Sequence, residues 1–307
     1  MREQFLANYT FIEHLIRQAP MNKFHLLSAA FVLFAFTKPA VSQSPGLNLP
    51  VRALATAGPA LTASYSKTAA AENAVAVKNE VSLEKAFDEF IEDSFDEMDL
   101  RGKGLKLELY RKALIGYHNL KRSHQISPSK SILTIVDFSK PSRQKRIWVI
   151  DFKAKKLLFH TYVAHGQGSG ADMAKVFSNE VNSHQSSLGF YVTGNTYSGK
   201  HGLSLKLNGM DPGFNNRALE RAIVVHGADY VSKDFIKQQG RLGRSHGCPA
   251  LPVELNAEII KTIKDRTVLY IDAQVDSYSS NYLDKSGALN QFVSEIKSFP
   301  SSVQASI

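Results

Sequence analysis

Val224-Val225-His226-Gly227 and, after a loop, Gly243-Arg244-Ser245-His246-Gly247-Cys248-Pro249 are the stretches on which the reading of this chain turns. The first is a short β-branched run ending in histidine; the second frames a cysteine with glycine and proline. A thiol attacks a carbonyl efficiently only as thiolate, and a neighbouring imidazole, a helix N-terminus and nearby cations are the usual means of forming it. The sequence offers all three. His226 ends a strand, Arg244 lies just upstream of Cys248, and a helix is expected from about Pro252, where Leu255, Ile259, Ile260 and Ile263 recur at helical spacing. Gly247 lets backbone approach a substrate carbonyl, so the Gly247 and Cys248 amides are candidates for an oxyanion hole.

Outward from that pair, short β-rich runs cover Ile132 to Phe138, Arg146 to Phe152, Lys156 to Val163, Phe190 to Thr193 and Arg221 to His226, with a final strand from Thr267 to Ile271. Upstream, Leu83, Phe87, Phe90, Ile91 and Phe95, and then Leu105, Leu109, Ala113, Leu114 and Tyr117, fall at helical spacing on either side of the Gly102/Gly104 break. The acidic cluster from Glu89 to Asp99 reads as a solvated helix face. Gly166 to Gly170 lacks the Gly-Lys-Ser/Thr ending of a phosphate loop and reads as a connection between strands. Before Gln43, a basic Lys23, an apolar run from Phe24 to Phe36 and small residues at Ala40 and Ser42 have the pattern of a secretory signal; an uncleaved membrane anchor is the alternative. Met21 opens this segment better than Met1 does.

The expected organisation is an N-terminal extension and signal peptide over 1–42, a flexible Ala/Ser/Thr/Pro linker over 43–80 and a helical accessory segment over 81–128. A mainly β catalytic domain over 129–275 and a C-terminal tail over 276–307 follow. At 307 residues and 43% apolar, the chain can bury a sizeable core. Its net charge of +9 favours an anionic partner, but the basic residues are scattered and no nucleic-acid-binding motif is present, so nucleic acid is not expected. One cysteine excludes an intramolecular disulfide and a cysteine-based zinc site. A lone cysteine also fits as a small buried apolar residue, so its neighbourhood must decide.

That neighbourhood resembles the murein L,D-transpeptidase catalytic domain family, whose signature is a histidine, a loop of limited length and then Ser/Thr-His-Gly-Cys; here these are His226, residues 227–244 and Ser245-His246-Gly247-Cys248. Phe177-Ser178-Asn179, Ser187-Leu188-Gly189-Phe190-Tyr191, Gly202 and Arg221 extend the likeness, which covers roughly residues 130 to 272. The resemblance implies a β-sandwich catalytic domain with a short helix after the cysteine, here preceded by two α-helices. It implies Cys248 as nucleophile, His226 as general base and the Gly227 carbonyl orienting the imidazole. Gly247, His246, Ser245, Arg244 and Tyr191 would serve the oxyanion and substrate side, with no cofactor and no metal. Pro249-Ala250 stands where many members carry an apolar residue followed by Asn or Arg, which leaves the acceptor side undefined.

The implied reaction forms a thioester with a peptidoglycan stem peptide, expels the terminal D-Ala and passes the acyl group to an amine, or to water in an L,D-carboxypeptidase. Carbapenem-type β-lactams would be inhibitors, and the enzyme would work in the periplasm or cell envelope. Two rivals stand beside this reading. One is a zinc peptidase drawing on His165, His184, His201, His226 or His246, although no pair has a ligand spacing and His-Glu-x-x-His is absent. The other is a wall-binding module that kept the fold and lost activity.

Overall fold

The structure is a computed structural model and describes residues 82–297. The expected signal segment, the linker and the choice between Met1 and Met21 lie outside these residues. Eight strands form one sheet: β1 (Ile132–Asp137), β2 (Ile147–Asp151), β3 (Lys156–Thr161), β4 (Gly189–Gly199), β5 (Gly202–Gly209), β6 (Val224–Gly227), β7 (Ala250–Leu251) and β8 (Val268–Asp272), in the order β3-β2-β1-β8-β4-β5-β6-β7. β1 runs parallel to β8 and β6 parallel to β7, while the other neighbours are antiparallel.

Both faces of the sheet are buried, and the period of two along each strand divides its side chains between two apolar layers. Leu133, Ile135, Trp148, Ile150, Phe190, Val192, Val268 and Tyr270 enter one cluster. Val136, Ile147, Val149, Tyr191, Leu269 and Ile271 enter the other, with Leu205, Leu207 and Val225. Helices cover the first layer. α1 (residues 82–97) brings Phe87, Ile91 and Phe95, and α2 (Leu107–Arg122) brings Leu109, Tyr110, Ala113, Leu114 and Tyr117. Each large side chain so buried contributes about 1.5–3 kcal/mol. The acidic side of α1 is largely exposed and carries ion pairs such as Arg111 with Glu92 and Arg101 with Asp96, as a solvated face should. The second layer is closed by Ile259, Ile260 and Ile263 of a helix over Val253–Ile263, which starts directly after Pro252 as expected. A short helix over Lys233–Gln239, α3 in chain order, is capped by Ser232 and precedes this one, α4.

The mainly β class, the two preceding helices and the helix behind the cysteine are all present. The assignment of 276–307 as a tail requires correction: Lys285–Lys297 is a helix, α5, whose Ala288, Leu289 and Phe292 join the helical layer. It is fixed to α2 by Lys121, whose ammonium lies 2.9 Å from Glu295, and by Asn119, which donates to the carbonyls of Tyr282 and Asp284. Strand β5 and the two-residue β7 were also not anticipated. Among the described residues no helix is long and apolar enough to cross a membrane.

Candidate active site

The sheet brings the two quoted stretches together. In β6, His226 is in register with Ser204 of β5 and Ala250 of β7, so the cysteine loop re-enters the sheet directly beside the histidine. The Cys248 sulfur lies 3.5 Å from the Val224 amide and 3.8 Å from the Ala222 carbonyl. The thiol therefore meets β6 at its first residue, and the imidazole stands two residues further along. His226 Nδ1 is 2.9 Å from the Gly227 carbonyl. A carbonyl only accepts, so Nδ1 carries the hydrogen and Nε2 is left as the acceptor.

Electrostatics place both groups in their neutral forms. Burial lowers the His226 pKa, and Lys200 and His201 push the same way, against the Gly227 hydrogen bond. Burial raises the Cys248 thiol, more than the Val224 amide, Arg221 and Lys200 lower it. The expected thiolate-forming set is thus revised. Arg244 is directed away, donating to the Gly170 carbonyl at 3.0 Å, and the cation that bears on the thiol is Arg221.

Arg221 was noted only as part of the resemblance, yet it organises the site. Its guanidinium donates to the carbonyls of Ser178 (2.6 Å) and Gln185 and to the hydroxyls of Ser187 (3.2 Å) and Ser183 (3.3 Å), pinning residues 183–187 beside the cysteine loop. Ser186 completes the clamp: its hydroxyl donates to the Gly247 carbonyl at 3.2 Å and accepts from the Gly166 amide at 3.0 Å. A side chain at 247 would meet the Gln185 carbonyl at 2.7 Å, and φ there is +121°, so only glycine fits. The glycine-rich stretch expected as a simple connection also belongs to this frame, since the Gln167 amide donates to the Ser245 carbonyl at 2.8 Å. The available signal was the unbroken polar run from Asn182 to Ser187, a loop composition; in the structure Asn182 and His184 stand at positive φ.

The remaining expected residues divide. Ser245 is buried and ties the loop together, its hydroxyl donating to the Cys248 carbonyl (2.6 Å) and accepting from the Gly247 amide (3.0 Å). The Gly247 amide, expected as an oxyanion donor, is thereby already engaged. His246 is exposed and stacks on His184 with ring centroids 4.2 Å apart. Tyr191 does not line the substrate side. It is fully buried in the second layer and its hydroxyl bonds Ser187, because alternation along β4 turns residue 191 inward. Its effect on the site runs through Ser187 to Arg221. Among the described residues no group of three or more His, Cys, Asp or Glu side chains is gathered as metal ligands. His165 is fully buried with Nδ1 2.7 Å from the Arg146 guanidinium; burial and that cation lower its pKa to about 3.

Comparison with known proteins places this geometry. Residues 101–271 match the L,D-transpeptidase catalytic domain family, a stretch that takes in α2 as well as the sheet. No curated protein matches the chain. Solved structures similar to it include the Ldtfm-avibactam carbamoyl enzyme, at 12% identity, 48% of this chain, 50% of that chain and a TM-score of 0.30. An L,D-transpeptidase from Mycobacterium smegmatis matches at 12% identity, over 47% and 59%, with a TM-score of 0.30. The helical cell shape determining protein Pgp2 from Campylobacter jejuni does so at 12%, over 60% and 64%, with a TM-score of 0.31. The chain thus spans little more than half the length of the first two. At these TM-scores the pairings carry no weight of their own, and the assignment rests on the family match, which extends over more than half of the chain. The chain belongs to the L,D-transpeptidase catalytic domain family.

Proposed function

We propose that this protein is an exported cysteine acyltransferase that remodels peptidoglycan, with Cys248 as nucleophile and His226 as general base. The observation that carries the reading is the Cys248 thiol lodged at the start of the strand that carries His226, with Nδ1–H spent on the Gly227 carbonyl and Nε2 kept as acceptor. A neutral thiol beside a neutral imidazole suits proton transfer during attack rather than a resting ion pair. Cys248 Sγ attacks the carbonyl of the stem peptide's third residue while its proton passes to His226 Nε2. The tetrahedral adduct collapses to the thioester, the C–N bond breaks, and the proton leaves on the D-Ala amine. An acceptor amine, or water, then attacks the thioester, giving its proton to Nε2, and the thiol is restored. The Cys248 amide is the first oxyanion donor, and the Gly247 amide joins it when the Ser245 hydroxyl releases it.

The net charge of +9 suits a carboxylate-rich polymer, and the basic, apolar, small-residue pattern before Gln43 suits delivery to the periplasm or cell envelope. Intact-protein mass spectrometry after incubation with a carbapenem tests the reading. A single adduct on the wild type, absent from Cys248→Ala, is expected, together with release of D-Ala from a tetrapeptide stem by the wild type alone. Turnover by Cys248→Ala would remove the proposal; a reactive thiol with neither adduct nor turnover would favour the wall-binding module. Product analysis with and without an acceptor amine separates transpeptidase from carboxypeptidase.

A further inference from the structure

His226 is only 4% exposed, so whatever covers it controls its access to substrate. The cover comes from the β4–β5 hairpin, whose turn carries Lys200 and His201. The His201 ring lies over the His226 ring with centroids 4.5 Å apart and planes 30° from parallel. The hairpin end itself, residues 195–202, is exposed, so this ring reaches a buried partner from the surface rather than from the core. A long two-stranded extension supported only at its base is the kind of element that opens locally at low cost.

We propose that His201 is a positioning residue for the acyl transfer of the preceding section, holding the His226 imidazole from the hairpin turn and shielding it from water until substrate engages. The inference rests on that reading of Cys248 and His226. Stacking fixes the ring against rotation about its Nδ1–Gly227 hydrogen bond, and therefore fixes the direction of Nε2. The charged and titratable groups that bear on His226 are Lys200 and His201 from the hairpin, while Arg221, Lys200 and Tyr230 face the Cys248 thiol. Ser204, Ala250 and Asn256, which also adjoin β6, are uncharged. Removing His201 admits water to the imidazole and takes away a neighbour that lowers its pKa, and both changes raise the His226 pKa.

The experiment compares the full-length wild type with His201→Ala and His201→Phe by three readouts: NMR titration of the His226 ring, the pH dependence of Cys248 alkylation by iodoacetamide, and kcat and KM for D-Ala release from a tetrapeptide stem. In His201→Ala the acid limb moves toward higher pH and kcat falls about threefold to tenfold with KM little changed, the worth of one aromatic contact. His201→Phe keeps the cover, so kcat recovers to within about twofold of wild type and the acid limb moves less. Unchanged titration and kcat in His201→Ala, or an equal loss in His201→Phe, overturns the proposal. Failure of the wild type to release D-Ala while the ring titration still responds to His201→Ala would instead sink the acyl-transfer reading and take the catalytic role of His201 with it.

Discussion

His118 and His226 are almost equally hidden, at 2% and 4% exposure, and they are held in opposite ways. His118 stands in an aromatic box in the helical layer, with the rings of Phe87, Tyr117, Phe292 and Phe152 at 5.6, 5.5, 5.9 and 6.4 Å. Its Nδ1 is 3.5 Å from Glu295, at the outer limit of a hydrogen bond, and neither ring nitrogen has a closer partner among the described residues. His226 has one covering ring, from an exposed hairpin turn, a backbone carbonyl on Nδ1 at 2.9 Å, and a thiol from the cysteine loop at the start of its strand. Burial lowers both pKa values. Exposure and titration alone therefore do not separate a packing histidine from a working one. What separates them is a hydrogen bond that fixes the tautomer, a thiol that meets the start of the same strand, and a cover that comes from an exposed hairpin turn.

The largest expected effect tests that distinction directly. His226→Ala should slow Cys248 alkylation at neutral pH and D-Ala release by about 10²–10⁴-fold, the usual contribution of a positioned general base. Substitutions at His118, measured per folded molecule, should leave both rates at the wild-type value. A His118 variant that folds normally but reacts slowly would show that the helical layer reaches into the chemistry.

The second test reverses the contrast. Phe292→Ala empties part of the aromatic box and unpacks α5 from α1, where the Phe292 ring sits 4.9 Å from Phe87 and 5.0 Å from Phe90. A cost of about 3–5 kcal/mol in unfolding free energy is expected, read from denaturant midpoints. The alkylation rate of the remaining folded protein should not change. A cost below 1 kcal/mol would mean that α5 is loosely attached and that residues 276–307 behave as the tail the sequence suggested.

The same contrast explains how much could be read in advance. The meeting of Cys248 with the strand of His226 was legible because both stretches carry local signals, a β-branched run and a glycine-framed loop. The first two helices were legible because Phe87, Ile91 and Phe95 make a clean stripe. α5 was not, since it buries only Ala288, Leu289 and Phe292 beside Gly287, too few for a periodic signal. β5 carries a usable one in the alternation of Leu203, Leu205 and Leu207. β7 is two residues long and exists only through its partner. Tyr191 was not legible as a buried residue because a motif position does not say which face of its strand it occupies. Arg221 acts by reaching carbonyls at Ser178 and Gln185, a relation between distant loops that no local spacing encodes.

The smallest effect concerns acid. His118 is neutral when folded, because burial opposes the imidazolium and Glu295 is already engaged by Lys121 at 2.9 Å. With the folded pKa below the ordinary 6.5, only the unfolded chain binds the proton as pH falls past 6.5, so stability is full above that value and declines below it. His226 adds to the same slope, as do His160, lowered by burial to about 4, and His165. Glu295 acts lower down. Burial raises its carboxyl, but hydrogen bonds from His118, Lys121 and Gln291 bring it to about 2, so its contribution is lost only as pH falls from 4.5 toward that value. Between pH 6.5 and 5 the histidines drive this fall, opposed by Asp211 and Asp272, whose carboxyls burial raises. His118→Phe, which fills the box with another ring, should flatten the fall in unfolding free energy there by up to about 1.4 kcal/mol per pH unit. If the slope is unchanged, the box accepts the imidazolium as an ion pair with Glu295, and the two buried histidines are less different than their surroundings indicate.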